Sequence, residues 1–202
     1  MTMTRLTPVS FYFLRHGETD WNRRRVMQGH TDIPLNACGI AQAEEVAPAV
    51  ARLAIATICC STLGRARCTA ELVNTNNLPI VVIDDLKECG FGIYEGQDSD
   101  GAWREAWRAG GAIPGGESLD DYVTRLARGL NSALANPAPV LIVGHGGSVW
   151  PLERLAGIPP GLRIPNCALF RFDPPAGGRG PWSCTSLAEP ASPSVAIGEA
   201  SA

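Results

Sequence analysis

Two apolar runs in this chain end in the same unusual way. Val9-Ser10-Phe11-Tyr12-Phe13-Leu14 stops at Arg15-His16-Gly17, and APVLIVGHGG (138–147) closes on His145 among glycines. Short bounded runs of aliphatic and aromatic side chains read as buried strands. A strand suited to burial that ends in a cation, an imidazole and a glycine delivers a rigid backbone to a polar rim. AIATICCS (54–61), LPIVVIDDL (78–86) and CALFRFD (167–173) read as three further strands.

Helical patterns separate these runs. Asn36 is placed to cap a helix reaching about Leu53, with Pro48 as a kink. LGRARCTAELVNT sets Ala66, Ala70 and Val73 on one helical face. A short helix is expected over Ala102–Arg108, a longer one from Ser118 with Asp121 completing a capping box, and another in SVWPLERLAG. Strands alternating with helices predict an α/β fold, a three-layer α/β/α sandwich with a mainly parallel central sheet. The expected organisation is a single domain over 1–173 with a short cap insertion around 95–117. The Pro-, Gly-, Ala- and Ser-rich stretch 174–202 is expected to be a poorly ordered or loosely packed tail.

Composition narrows the class of partner. With 17 Lys and Arg against 20 Asp and Glu in 202 residues, the net charge is −3. That balance argues against a nucleic-acid binder and against a polybasic membrane anchor. The N-terminus MTMTRLTPVS has no apolar stretch of signal-peptide length, and no run is long enough to span a bilayer. Cys38, Cys59, Cys60, Cys68, Cys89, Cys167 and Cys184 make an odd count without CxxC pairs, which suits reduced thiols and a cytoplasmic protein. His16, His30 and His145 do not form a metal-ligand pattern, so neither metal nor cofactor is expected.

In parallel sheets, ligands bind beyond the carboxyl ends of the strands. If the runs ending at Leu14, Ser61 and Val143 are neighbours, Arg15, His16, Arg65 and His145 converge on one rim. Two arginines and two histidines suit a phosphoryl group, because a guanidinium fork matches phosphate oxygens. Gly17, Gly146 and Gly147 allow backbone amides close to an anion. A neutral imidazole is a nucleophile able to form phosphohistidine, and nearby arginines disfavour its protonation. The leaving alkoxide needs a proton, and LKECGFGIYEGQ (86–97) supplies Glu88 or Glu95 as its source.

The blocks LRHGETDWN, QGHTDIPLNACGIAQA, STLGRARCTAE, LKECGFGIYEG, GGES and LIVGHGG together resemble the histidine phosphatase superfamily, in its phosphoglycerate mutase-like branch. The likeness runs over roughly residues 9–172, in the family's order. It implies an α/β/α sandwich and a metal-free enzyme acting on a small phosphorylated metabolite. It also implies roles by position. His16 matches the phosphorylated nucleophile, Glu88 the general acid/base, and Arg15, Asn22, Arg65 and His145 the phosphate pocket, with Gly146 beside it. Glu95 looks structural.

Cys68 stands where the family usually has glutamine, which bears on packing. The block Glu88-Cys89-Gly90-Phe91-Gly92 and the short insertion after Gln97 look more like phosphatases than cofactor-dependent phosphoglycerate mutases. Hydrolysis of small phosphate monoesters is therefore the expected activity. The mutase is the alternative, and a non-catalytic phospho-ligand module comes third because nucleophile and acid are both present. His30 reads as a solvated or locally bonded ring, and Arg23-Arg24-Arg25 as a solvated face. Trp103 and Trp107, at helical spacing, read as packing within a cap that bears on specificity. Ser148 lacks a G-x-S-x-G elbow.

Overall fold

The computed structural model describes residues 5–99, 101 and 103–191. Among them are the strands β1 (Phe11–Arg15), β2 (Thr57–Ser61), β3 (Ile80–Ile83), β4 (Val140–Gly144), β5 (Leu169–Asp173) and β6 (Ser183–Ala188). They form one sheet in the order β3-β2-β4-β1-β5-β6. The pairs β1–β4, β2–β4 and β2–β3 are parallel, whereas β5 lies antiparallel to β1 and β6 antiparallel to β5. The α/β reading with a mostly parallel sheet flanked by helices therefore holds.

Continuous apolar runs conceal a period of two, because successive side chains in a strand point to opposite faces. Phe11, Phe13, Val140 and Ile142 enter one core, while Leu14, Leu141 and Val143 enter the other. The second core packs under α2 (Ala37–Ala51) and α3 (Gly64–Val73) through Ala43, Val46, Val50, Ala66, Ala70 and Val73. The first packs under α5 (Leu119–Leu134) and α6 (Val149–Ala156) through Leu126, Leu130, Ala133 and Leu152. Two short helices, α1 (Asp20–Arg23) and α4 (Trp103–Arg108), lie in the connections; the expected first residue of α4, Ala102, lies outside the described residues.

Several local expectations change. Pro48 sits inside α2 on its exposed face, and the helix continues past it to Ala51. Asn36 caps α2 through the Gly39 amide at 2.8 Å. At α5 only half the capping box forms: Ser118 Oγ accepts the Asp121 amide, but Asp121 Oδ2 takes the Ser118 hydroxyl at 2.6 Å. The expected strand 78–86 ends at Ile83, where Asp84–Leu86 turn into a 3₁₀ segment.

The stretch after 173 departs most. It holds β6 on the sheet edge, and Trp182 packs against Phe11 with ring centroids 5.9 Å apart. The residues of β6 face largely toward solvent, so its sequence lacks the apolar run that marked the inner strands. Residues 192–202 of the expected tail lie outside the described residues. No helix among the described residues is long and apolar enough to cross a membrane.

Candidate active site

Because β1 and β4 are adjacent and parallel, their carboxyl ends share one rim. Arg15 stands opposite Gly144, and the His16 amide donates to the Gly144 carbonyl at 3.0 Å. The two imidazoles meet there, with ring centroids 5.2 Å apart and planes tilted by 60°. Both rings are buried. His16 Nδ1 lies 2.7 Å from the Gly17 carbonyl oxygen. Burial holds both imidazoles well below the usual histidine range, and Arg65 and Arg15 push them the same way. Burial thus leads the effect that the sequence assigned to the arginines alone.

Arg15 is buried with one donor on the Ile164 carbonyl at 3.0 Å; its Nε and Nη2 meet no protein acceptor. Desolvation pulls its pKa down to about 10, with Glu88 opposing. Arg65 comes from the first turn of α3. Its Nη1 and Nη2 donate to the Thr31 and Gly29 carbonyls at 3.0 and 2.8 Å, and its Nε is buried without a partner. Both ring nitrogens of His145 are likewise buried without a partner. Buried polar groups normally find partners, so a cluster of unmatched donors at one rim is the mark of an anion site.

Glu88 is buried at this rim. Its Oε1 accepts from the Tyr122 hydroxyl at 3.0 Å and the Cys89 amide at 2.9 Å, and its Oε2 from the Gly147 amide at 2.9 Å. Tyr122 is buried, and desolvation followed by the Glu88 charge holds its phenol well above the usual range, so it remains a donor. The Glu88 carbonyl is clamped by Arg125 Nη2 and by His30 Nε2, each at 2.9 Å. His30 is therefore a locally bonded ring. Arg125 is itself gripped by Glu117, with Nη2–Oε2 at 2.6 Å.

Glu95 is spent on loop geometry. Its two oxygens accept from the amides of His30, Thr31 and Phe91 and from the Thr31 hydroxyl, at 2.6–3.1 Å. That fixes the loop whose carbonyls hold Arg65. Gly29 has φ +53, and a Cβ there would strike the Glu95 carboxylate. Asp32 ties the same loop to the start of α3 through the Gly64 amide at 2.8 Å.

Asn22 is buried as part of the α1 cap, its Oδ1 accepting from the Thr19 amide at 3.1 Å. Asn166 links it to the rim: Nδ2 donates to the His16 carbonyl at 2.9 Å and reaches Asn22 Oδ1 at 3.3 Å. Asn166, Tyr122 and Thr69, whose hydroxyl accepts the Gly17 amide at 3.0 Å, were not singled out from sequence. Gly146 lines the pocket next to Arg15.

Comparison with known proteins follows the same lines. Residues 11–182 match the family described as "Histidine phosphatase superfamily (branch 1)". The chain belongs to this family. It is therefore an enzyme of the histidine phosphatase and phosphoglycerate mutase group, whose members act on small phosphorylated metabolites. A Proteus mirabilis protein named "Probable phosphoglycerate mutase GpmB" is 37% identical over 179 residues, spanning 80% of this chain and 83% of that one. The alpha-ribazole phosphatase from Shigella flexneri has a similar structure, with TM-score 0.73 and 26% identity over 89% of this chain and 96% of that one. A mycobacterial glucosyl-3-phosphoglycerate phosphatase solved with VO3 gives TM-score 0.73 at 28% identity, covering 87% and 96%.

Around α4 the aromatic side chains form a cluster. Trp107 is buried, donates to the Glu117 carbonyl at 2.9 Å and packs edge-on against Phe91 and Trp150. Trp103 stacks on Tyr94 with centroids 4.4 Å apart. Both tryptophans pack, as their spacing suggested. Ser148 is buried with its hydroxyl 3.5 Å from that of Tyr122. Among the described residues no group of three or more His, Cys, Asp or Glu is arranged to hold a metal ion.

Proposed function

We propose that the chain is a metal-independent, histidine acid-type phosphomonoesterase that hydrolyses small phosphate monoesters through phosphohistidine at His16. The observation carrying this reading is the contact between His16 Nδ1 and the Gly17 carbonyl at 2.7 Å. A carbonyl only accepts, so Nδ1 holds the proton and Nε2 keeps its lone pair. Burial beside two arginines keeps that lone pair unprotonated near neutral pH.

The unmatched donors of Arg15, Arg65 and His145 suit the oxygens of a phosphoryl group. His16 Nε2 attacks phosphorus; the N–P bond forms as the ester P–O bond breaks. Glu88, when its carboxyl carries a proton, gives that proton to the departing oxygen. Water then attacks the phosphohistidine, and Glu88 takes a proton from it. The N–P bond breaks with its electron pair returning to Nε2, and inorganic phosphate leaves.

One observation favours a second reading, a cofactor-dependent phosphoglycerate mutase. Arg154 and Arg163 join the two cap arginines around the neighbouring pocket, more cations than the insertion alone supplies. A mutase must grip a second anionic end of its substrate. Incubation with 3-phosphoglycerate, with and without 2,3-bisphosphoglycerate, separates the two. Hydrolysis releases phosphate independently of the bisphosphate. Bisphosphate-dependent formation of 2-phosphoglycerate with negligible phosphate release replaces the phosphatase reading with the mutase.

A further inference from the structure

Gln42 is a polar side chain buried in the second turn of α2, beside the core positions Ala43, Val46 and Ala47. Its Oε1 accepts the Glu18 amide at 3.0 Å, and its Nε2 is buried without a partner among the described residues. The Glu18 N–H is a donor, so it fixes which end of the Gln42 amide group faces it. An unmatched buried donor costs stability, and what Gln42 supplies in return is one acceptor oxygen.

The amide that reaches this oxygen belongs to one particular peptide unit. Gly17 C=O and Glu18 N–H are the two ends of the same planar group. At its other end, the Gly17 carbonyl oxygen lies 2.7 Å from His16 Nδ1. A path therefore runs from Nδ1–H to Gly17 C=O, through the peptide, and from Glu18 N–H to Gln42 Oε1. Hydrogen bonds in series polarise one another, and planarity turns both ends together.

Other groups hold the units on either side. The His16 carbonyl accepts from Asn166 Nδ2 at 2.9 Å, and the Gly17 amide donates to Thr69 Oγ1 at 3.0 Å. The Glu18 carbonyl accepts from the Asn36 amide at 3.0 Å. Close backbone packing brings α2 within reach: a Cβ at Gly39 would strike the Glu18 backbone, and one at Gly17 the Gly39 carbonyl. Of these groups, Gln42 is the one on the unit that faces the His16 ring.

We propose that Gln42 is a positioning residue for His16: through the Gly17–Glu18 peptide, its Oε1 orients and strengthens the carbonyl that keeps the imidazole proton on Nδ1 and leaves the Nε2 lone pair free to attack phosphorus. The bond made by one ring nitrogen sets which nitrogen carries the proton. This rests on His16 as the nucleophile of the phosphatase reading, and adds a residue that acts on it through one peptide bond.

Two substitutions separate the oxygen from the bulk of the side chain. Gln42→Met keeps length and burial but removes the acceptor; Gln42→Glu keeps an acceptor and loses only the unmatched Nε2. The first readout is the His16 tautomer, from ¹⁵N NMR of histidine-labelled protein, with the His16 signals assigned by their loss in His16→Ala. The second is kcat/KM for p-nitrophenyl phosphate, which reports the attack of His16. Wild type is expected to hold the Nδ1–H tautomer. Gln42→Met mixes the tautomers and lowers kcat/KM about tenfold. Gln42→Glu restores the Nδ1–H tautomer and brings kcat/KM to within about threefold of wild type. A folded Gln42→Met with wild-type tautomer overturns the proposal, as does equal loss in both variants. If Gln42→Met does not fold, Gln42→Glu decides: a folded Gln42→Glu with mixed tautomers and a tenfold loss overturns it, and a wild-type profile supports it. If Gln42→Met mixes the tautomers but wild type hydrolyses no phosphate ester, the phosphatase reading falls and the positioning role stands. If hydrolysis is His16-dependent and Gln42→Met leaves tautomer and rate unchanged, the positioning role alone falls.

Discussion

The Gly147 amide donates to Glu88 Oε2 at 2.9 Å, and a Cβ at position 147 would strike that same carboxylate. The glycine therefore admits the carboxylate to the rim and orients it. Gly147→Ala is expected to displace Glu88 while the sheet below stays intact, and to lower kcat by about 10²–10⁴-fold, the range for losing general acid–base help. Steady-state kinetics with circular dichroism reads both; wild-type kcat in a folded Gly147→Ala protein contradicts the placement.

Glu88 and Glu95 are seven residues apart and hold different positions. Glu88→Gln should slow poor leaving groups far more than p-nitrophenyl phosphate, because an activated aryl oxygen needs little protonation. Glu95→Gln instead sets an amide donor against the Thr31 amide or the His30 amide, at about 1–3 kcal/mol of stability, and loosens the carbonyls that hold Arg65. Its signature is a lower Tm and a raised KM with similar loss on good and poor leaving groups. Identical leaving-group profiles for the two variants would remove the distinction.

Tyr122 reaches Glu88 from α5 at 3.0 Å. Tyr122→Phe keeps the buried ring and deletes one of three donors to the carboxylate. The expected result is a loss of about 0.5–1.5 kcal/mol in stability and a kcat reduced by about tenfold, with the larger effect on poor leaving groups. An unchanged leaving-group profile would make the phenol a packing group only.

How much of this was legible beforehand differs by residue. The apolar runs around Phe11–Leu14 and Val140–Val143 were plain, because an inner strand needs apolar side chains on both faces. The convergence of His16 and His145 followed from two such strands ending alike and lying side by side. β6 was not legible, since an edge strand with most residues in solvent carries no apolar run. Nor were Asn166, Tyr122, Arg154 and Arg163. Each reaches the site through contacts across many residues, and an isolated asparagine or arginine in a helix or loop leaves no periodic signal.

Acid should destabilise the fold through the two buried imidazoles. Both have folded-state pKa values held well below the usual histidine value of about 6.5 by burial and by Arg65 and Arg15. Below the unfolded value, the unfolded chain takes up protons that the folded chain does not, so stability falls as pH drops through that point. Each imidazole contributes up to about 1.4 kcal/mol per pH unit in that window. Urea midpoints between pH 7.5 and 5.5 read the slope. His145→Gln, which cannot titrate, should flatten it; an equal slope in wild type and variant would locate the acid sensitivity elsewhere.

The phosphohistidine at His16 is most directly tested by acid–base stability of the trapped phosphoenzyme. Wild-type protein is mixed with a phosphate monoester, quenched in base during turnover, and digested for mass spectrometry. The account predicts one phosphorylated peptide containing His16, stable to base and lost in acid, and absent from His16→Ala, which no longer turns over. Full turnover by folded His16→Ala, or phosphate found on another residue in wild type, would contradict it.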